Sequence, residues 1–218
     1  PTYLQATPLP KWVTGFAEPI LAAVADRKPD FQDDFSRYRG WLNLRSGVIG
    51  PVYAERFDDK LPLNLPERTG ASILYNPRVN RTNFVLTLDL RFFHNQPNDM
   101  LRIQFDGSLE QSVALDLSNN RNWRFQWGAQ DNPQIASGIY EHFPPDHLPV
   151  TIIMRDAQCA VYLNHDPLFH VEDCRTMPIL RSQDWVMSFR LFRDNKCAVL
   201  VNIDNFKLWD LDKIPNLP

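Results

Sequence analysis

The 218-residue chain is 44% hydrophobic and 22% charged, which is the composition of an ordinary globular protein. Its formal net charge is −3, and no run of 18 apolar residues occurs, so neither a basic footprint for nucleic acid nor a transmembrane helix is predicted. Aspartate outnumbers glutamate by 20 to 6. Because aspartate favours turns and glutamate favours helices, this bias indicates a loop-rich β protein.

The first 30 residues are predicted to form an arm and one short helix. Residues 1–11 contain three prolines and no periodicity, which is typical of an extended arm. Pro19 is tolerated in the first turn of a helix, so the regular helix is expected to begin near it. Four apolar residues recur every four positions and form one stripe: Trp12, Phe16, Ile20 and Val24. The stripe either covers the chain's own core, the commoner use, or docks onto another protein or a membrane surface.

About ten or eleven short strands are predicted downstream, separated by turn signals. They fall at residues 31–35, 71–75, 83–93, 101–105, 113–117, 123–127, 150–154, 159–164, 168–172, 185–192 and 197–211. The proline-rich stretch from Gly50 to Gly70 is predicted to be a loop. A second loop, from Gly128 to Pro149, is long and aperiodic, and such loops are often functional.

The three strands between Leu101 and Trp127 alternate apolar and polar residues, the period of a half-buried sheet. One face carries Leu101, Ile103, Phe105, Val113, Leu115, Leu117, Trp123, Phe125 and Trp127. The other face carries Arg102, Gln104, Ala114, Asp116, Arg124 and Gln126. Such a sheet turns its apolar face to a core and its polar face to water. We predict that the five polar side chains other than Ala114 form a platform for a polar ligand, with an ordinary solvated surface as the alternative.

Three cysteines are present at positions 159, 174 and 197, without a CxxC pair, so no zinc or thioredoxin-type site is indicated. Cys159 and Cys174 flank an apparent hairpin and are the easiest pair to join. Three buried thiols are the alternative, because cysteine is commonly buried without bonding.

Four local motifs occur in a characteristic order along the chain. They are DDFS at 33–36 followed by Trp41, NFVLTLDLRF at 83–92, VYLN at 161–164 and IDNFKLW at 203–209. Their order resembles the concanavalin A-like lectin/glucanase superfamily, in particular the laminin G-like domains of bacterial surface and secreted proteins. The resemblance implies an all-β jelly-roll sandwich of two antiparallel sheets. It gives an arm and helix over 1–30, the sandwich over 31–212 and a tail over 213–218.

The resemblance also implies where a ligand and a metal ion would lie. Ligands of this superfamily lie on the concave sheet or on the loops at its rim. Here the concave sheet would combine the 101–127 strands with the strand at 159–164, which adds Tyr162, while the rim loop adds Tyr140 and His142. The superfamily often holds a structural calcium near the joined termini, where Asp33, Asp34 and Asp204 would be ligands. In the alternative, these aspartates cap turns.

Glycosidases of this superfamily carry an E-x-D-x-x-E strand, which supplies the paired carboxylates of glycoside hydrolysis. This chain has no such string, and its six glutamates are isolated from one another. We therefore predict a non-catalytic, lectin-like domain at the cell surface or outside the cell, with an oligosaccharide or polysaccharide as its ligand. It would require no cofactor beyond a structural calcium. The alternative is a structural or accessory subunit that docks through the arm and helix, using Trp12, Phe16 and Ile20.

Overall fold

Two antiparallel sheets pack face to face in the computed structural model of the protein. The structure describes residues 9–35, 41–45, 48–51, 61–65, 72–75, 79, 81–93, 100–106, 113–118, 120–127, 134–141, 147–174, 186–192 and 199–217. These residues form fifteen strands. Among the described helices, none has the length and apolar character needed to span a membrane.

The first sheet has seven strands in the order β1-β15-β6-β11-β12-β13, with β4 also paired to β15. Their bounds are β1 (Phe31–Asp33), β4 (Leu61–Leu65), β6 (Phe84–Phe93), β11 (Leu148–Arg155), β12 (Gln158–Leu163), β13 (Asp166–Val171) and β15 (Val199–Asp210). The first and last strands are neighbours, as the resemblance implied: Asp33 lies opposite Phe206.

The second sheet has eight strands in the order β10-β9-β8-β7-β14-β5-β2-β3. Their bounds are β2 (Leu42–Arg45), β3 (Val48–Pro51), β5 (Ser72–Tyr75), β7 (Met100–Asp106), β8 (Val113–Ser118), β9 (Asn122–Trp127), β10 (Gln134–Ile139) and β14 (Val186–Phe192). The three strands singled out from the sequence, β7, β8 and β9, are adjacent in this sheet, as the alternation predicted.

Two stretches predicted as loops contain strands. The structure places β3 and β4 within or at the edge of the 50–70 stretch, and β4 contains Pro62. β4 pairs with β15 but stands outside the main strand order of the sheet. A strand in such a position tolerates a proline, because the sheet can spare one hydrogen bond of the ladder there. The 128–149 stretch contains β10, whose alternation is hidden because Ile139 faces outward and is 69% exposed.

The predicted apolar face of β7, β8 and β9 lies in the core between the sheets. Leu101, Ile103, Phe105, Val113, Leu115, Leu117, Trp123 and Phe125 are all buried in one cluster with residues of the opposite sheet. Trp123 stacks on Phe169 of β13, with ring centroids 5.0 Å apart and planes 5° apart. Burial of these side chains is the main source of the sandwich's stability, because removing apolar area from water is the dominant favourable term in folding.

The N-terminal segment forms a π-helical turn (Val13–Ala17) followed by α1 (Glu18–Ala25), with Pro19 in the first turn as predicted. Ala17, Ile20 and Val24 are buried against the outer face of the seven-stranded sheet. The apolar stripe therefore covers the chain's own sheet, which was the commoner of its two predicted uses.

Trp12 and Phe16 also pack within the chain, because both rings lie against His170 of β13 at centroid distances of 5.6 Å and 4.9 Å. Ile20 is fully buried. Ile20 is therefore not accessible to a partner, whereas docking of another protein through the partly buried Trp12 and Phe16 stays a prediction. Within the segment predicted as a tail, residues 213–217 are described. Ile214 and Leu217 contact the apolar cluster that includes Ile20 and Val24, and the Leu217 carbonyl accepts a hydrogen bond from Arg155.

A disulfide joins Cys159 on β12 to Cys174, with the Cα atoms 6.1 Å apart. The sequence predicted this pair as the easiest to join, because the two cysteines flank a hairpin. The alternative of free buried thiols is wrong at these two positions. Both residues are buried. Cys197 lies outside the described residues.

Candidate functional site

The polar face of β7, β8 and β9 is buried, whereas the sequence predicted that it faces water. The exposed fractions are 4% for Arg102, 3% for Gln104, 1% for Asp116 and 1% for Gln126. Alternation assigns each side chain to a face, but it does not show what lies above that face. Of the predicted platform on these strands, only Arg124 keeps a substantial exposed fraction, at 34% of its side chain.

The charged residues of this face form one cluster across three strands. Asp116 on β8 lies opposite Arg102 on β7 and Arg124 on β9. Arg102 donates from Nε to Asp116 Oδ1 at 2.7 Å and from Nη2 to Oδ2 at 2.9 Å. Arg124 donates from Nε and Nη2 to Oδ2 at 3.2 Å and 2.8 Å. Buried charges are tolerated when they are paired and hydrogen-bonded in this way. Because two arginines share one aspartate, the three side chains together carry one net positive charge.

A hollow of about 450 Å³ lies on this face at the end of β8, β9 and β10. It is lined by Met100, Asp116, Ser118, Asn120, Asn122, Trp123, Arg124, Ser137, Gly138 and Ile139. Asp116 and Arg124 were predicted site residues, whereas the hydroxyl and amide groups around them were missed. The SNNRN string at 118–122 was visible in the sequence as a polar turn, and its position beside Arg124 is set by the β8–β9 pairing.

The rim of the hollow is fixed by hydrogen bonds around the β8–β9 turn. The Arg121 N–H donates to the Ser118 carbonyl at 3.0 Å, and Arg121 has a φ of 70°. The Asn122 N–H donates to Asn120 Oδ1 at 3.1 Å. The Tyr140 N–H donates to the Arg121 carbonyl at 2.9 Å, which ties the turn to the end of β10. The backbone of the rim and the side chain of Asn120 are therefore held in place before any ligand binds.

Trp123 and Gly138, which both line the hollow, approach each other closely. A Cβ atom on Gly138 would lie 3.0 Å from Trp123 Nε1 and 3.1 Å from Cε2 and Cζ2. An alanine at this position would require the indole to shift by a few tenths of an ångström. Both residues line the hollow, while the Trp123 ring itself lies on the core side of the sheet against Phe169.

Tyr162, which the resemblance placed on the concave sheet, lies in the other sheet. It belongs to β12 and packs beneath the N-terminal helix, with Trp12 edge-on at a centroid distance of 5.6 Å. Burial raises the pKa of Tyr162 to about 12, and the Glu18 carboxylate acts in the same direction. Tyr162 is therefore wrong as a ligand-stacking residue of the concave face. The pairing of β12 with β11 and β13 fixes its sheet, which alternation within a strand cannot reveal.

The predicted rim residues have different outcomes. Tyr140 is buried, and its hydroxyl donates to the Leu163 carbonyl at 3.1 Å and to Asp166 Oδ2 at 3.0 Å. Burial, with the Asp166 contact, raises the pKa of Tyr140 to about 12. Tyr140 therefore joins β10 to the β12–β13 turn and is not among the residues that line the hollow. His142 lies outside the described residues.

The three aspartates predicted as calcium ligands lie near the β1–β15 pair. The buried Asp33 accepts hydrogen bonds from the Phe35 N–H and from Trp41 Nε1, each at 2.8 Å. Asp204 Oδ1 accepts from the Asn205 N–H at 2.7 Å. Across the described ranges, no group of three or more His, Cys, Asp or Glu side chains is placed to hold a metal ion. These bonds favour the turn-capping alternative, and calcium at Asp33, Asp34 and Asp204 stays a prediction.

No protein-family model and no curated protein matches the sequence. The structure is similar to an endo-acting O-glycanase of the human gut microbiota, with a TM-score of 0.65 and 8% identity over 84% of this chain and 99% of that one. A β-1,3-1,4-glucanase (lichenase) from a mouse hindgut metagenome gives a TM-score of 0.60 and 12% identity over 83% and 98% of the two chains. A carbohydrate-binding module from Bacillus subtilis gives a TM-score of 0.54 and 10% identity over 79% of this chain and 97% of that one.

Identities this low show the fold alone. The chain has the concanavalin A-like jelly-roll fold, as its sequence motifs indicated.

Proposed function

We propose that this chain is a non-catalytic carbohydrate-binding domain that holds an oligosaccharide or polysaccharide in the hollow beside Arg124. The observation that carries the proposal is the lining of the hollow, which combines the guanidinium-bearing Arg124 with the amide residues Asn120 and Asn122 and the hydroxyl residues Ser118 and Ser137. Amides and hydroxyls both donate and accept hydrogen bonds, so together they can match the hydroxyls of a sugar ring.

The hollow also offers apolar contact for the C–H face of a sugar. Ile139, which is 69% exposed, and Met100 both belong to the lining. Ligand pockets typically combine apolar surface with a few well-placed polar groups. The fold neighbours support the same ligand class, since their names describe a glucanase, an O-glycanase and a carbohydrate-binding module.

The absence of catalysis is proposed from the carboxylates of the hollow. Glycoside hydrolysis uses two carboxyl groups that flank the scissile bond. Asp116 is the one carboxylate among the described lining residues, and both of its oxygens accept hydrogen bonds from arginines. Its oxygens are therefore committed to holding the cluster rather than offered to a substrate.

The Cys159–Cys174 disulfide supports an extracellular or cell-surface location, since disulfides persist in oxidising compartments. A laminin G-like attachment to a larger surface protein fits this location and remains part of the proposal.

Glycan-array binding followed by calorimetry tests the function. Asn122 is an exposed residue of the rim, so Asn122→Ala should leave the melting temperature unchanged. Loss of one hydrogen bond, about 0.5–1.5 kcal/mol, should weaken binding roughly twofold to tenfold. Gln32→Ala, on the other sheet, is the matched control. A chain that binds no glycan overturns the proposal, and release of reducing sugar from a bound glycan overturns its non-catalytic part.

A further inference from the structure

The charge of the Arg102–Asp116–Arg124 cluster is distributed unevenly between the interior and the hollow. The side chains of Arg102 and Asp116 are 5% and 2% exposed, and they neutralise each other in a two-bond pair. The side chain of Arg124 is 34% exposed and lines the hollow. The excess positive charge therefore lies on the arginine that a ligand can reach.

Arg124 keeps hydrogen-bond donors for a ligand. Its Nε and Nη2 both donate to Asp116 Oδ2, whereas Nη1 makes no hydrogen bond with the part of the chain that the structure describes. The Asp116 contacts orient the guanidinium plane, and Arg102 holds Asp116 in turn. A donor group that is oriented before binding loses less entropy when the ligand arrives.

We infer that the hollow selects anionic sugars, those bearing a carboxylate or a sulfate, through Arg124. This inference rests on the proposed carbohydrate-binding function and specifies its ligand class. A guanidinium group pairs with planar or tetrahedral oxyanions through charge-assisted hydrogen bonds, which are about twice as strong as neutral ones.

The remaining lining residues favour an anionic sugar over a simple anion. Among the described residues of the hollow, Asp116 and Arg124 are the charged ones, and Asp116 is already paired, so no second carboxylate there repels an anion. Asn122 and Ser137, which flank Arg124 on β9 and β10, can bond the ring hydroxyls of the same sugar. The site therefore combines one positive charge with uncharged hydroxyl-binding groups.

The test compares acidic polysaccharides with their neutral counterparts on the unmodified protein. Polygalacturonate, alginate and hyaluronan are each titrated against their carboxyl-reduced forms, and dextran sulfate against dextran. We expect at least one acidic member to bind ten times or more tightly than its neutral counterpart, with an affinity that falls as salt is added. The carboxylate and sulfate arms distinguish which anion the site prefers.

Two variants with matched charge removal complete the test. Arg124→Gln should abolish the preference for the acidic member, while Lys207→Gln, an exposed lysine on the other sheet, should retain it. Because Asp116 keeps both bonds to Arg102, we expect Arg124→Gln to fold, and the comparison on the unmodified protein decides the question if it does not. Equal or tighter binding of the neutral counterparts overturns the inference and leaves the proposed function standing. Binding to no glycan, acidic or neutral, overturns both.

Discussion

Arg102 and Asp116 form a two-bond ion pair on the buried polar face of the eight-stranded sheet, at 2.7 Å and 2.9 Å. Arg102 is 4% exposed and Asp116 is 1% exposed. Removing two charges from water is costly, and the mutual attraction offsets this cost only when the geometry is good and the other lone pairs are satisfied. Arg124 supplies the further hydrogen bonds that Asp116 needs.

Arg102→Ala should therefore be strongly destabilising, because it removes two hydrogen bonds and a neutralising charge from the buried Asp116 carboxylate. Loss of one partner of such a pair typically costs about 3–5 kcal/mol. Arg124→Ala should cost less, since Arg124 is partly exposed and Asp116 keeps its two bonds to Arg102. Urea denaturation of the three proteins measures the difference. A free energy of unfolding for Arg102→Ala within about 0.5 kcal/mol of the unmodified protein, the range of ordinary surface changes, would contradict the pairing.

The same face shows what could and could not be predicted from the sequence. Alternation correctly placed Leu115 and Phe125 in the core and put Asp116 beside Arg124 on the opposite face. It could not predict that this opposite face is buried, because a strand's period carries no information about what covers it. Tyr162 was misassigned for a related reason, since the sheet to which a strand belongs is decided by long-range pairing.

The hollow was predicted only in part for a different reason. Ser137 and Ile139 were missed because the sequence of β10 does not alternate like that of a strand. This strand exposes Ile139 and only partly buries Ile135 and Ala136. Asn122 was visible only as part of a turn. Its place beside Arg124 and Ser137 follows from the β8–β9 and β9–β10 registers, which a single sequence does not specify.

The Cys159–Cys174 disulfide closes a loop with a sequence separation of 15. Cross-linking a loop of this length stabilises a protein by about 3 kcal/mol, chiefly by restricting the unfolded chain. For a domain of this size, Cys174→Ala should then lower the melting temperature by roughly 6–12 °C. Reduction with dithiothreitol should bring the unmodified protein down to the same value and leave the variant unchanged. If reduction shifts both proteins equally, the stabilisation does not come from this bond.

His170 should make the attachment of the N-terminal helix sensitive to acid. Its ring contacts Trp12 and Phe16, Gln158 Oε1 lies 3.0 Å from Nε2, and the neighbouring charge is that of Glu172. Burial lowers the pKa of His170 from its usual 6.5, with Glu172 acting in the opposite direction. Below about pH 6.5 this histidine therefore binds more protons in the unfolded chain than in the folded one. The contribution of the neutral, packed His170 to stability is complete above that pH and is lost as the pH falls through the lowered pKa.

His170→Asn should remove this part of the pH dependence. Melting temperatures measured from about pH 7.5 to 5 should fall less steeply in His170→Asn than in the unmodified protein, because the titrating group is gone. His165→Asn is the matched control: His165 is exposed in a turn at a φ of 67°, which asparagine tolerates. If His165→Asn flattens the curve as much as His170→Asn does, the acid sensitivity does not arise beneath the helix.

Gly138→Ala should disturb the packing of Trp123, a residue that also lines the hollow. The new methyl group would lie 3.0 Å from Trp123 Nε1, closer than carbon and nitrogen normally approach. Trp123 cannot move away freely, since its other face stacks on Phe169 across the core. Overpacking of this kind costs about 1–3 kcal/mol. We expect lower stability, altered tryptophan fluorescence and weaker binding of any glycan ligand.

Ile139→Ala, one residue along the same strand, is the control for stability. Its side chain is 69% exposed, so the free energy of unfolding should change by within about 0.5 kcal/mol. Chemical denaturation monitored by fluorescence measures both variants under the same conditions. Equal stability in Gly138→Ala and the unmodified protein would show that Trp123 has room to shift. A loss confined to Gly138→Ala would show that the packing of Trp123 depends on the absence of a side chain at position 138.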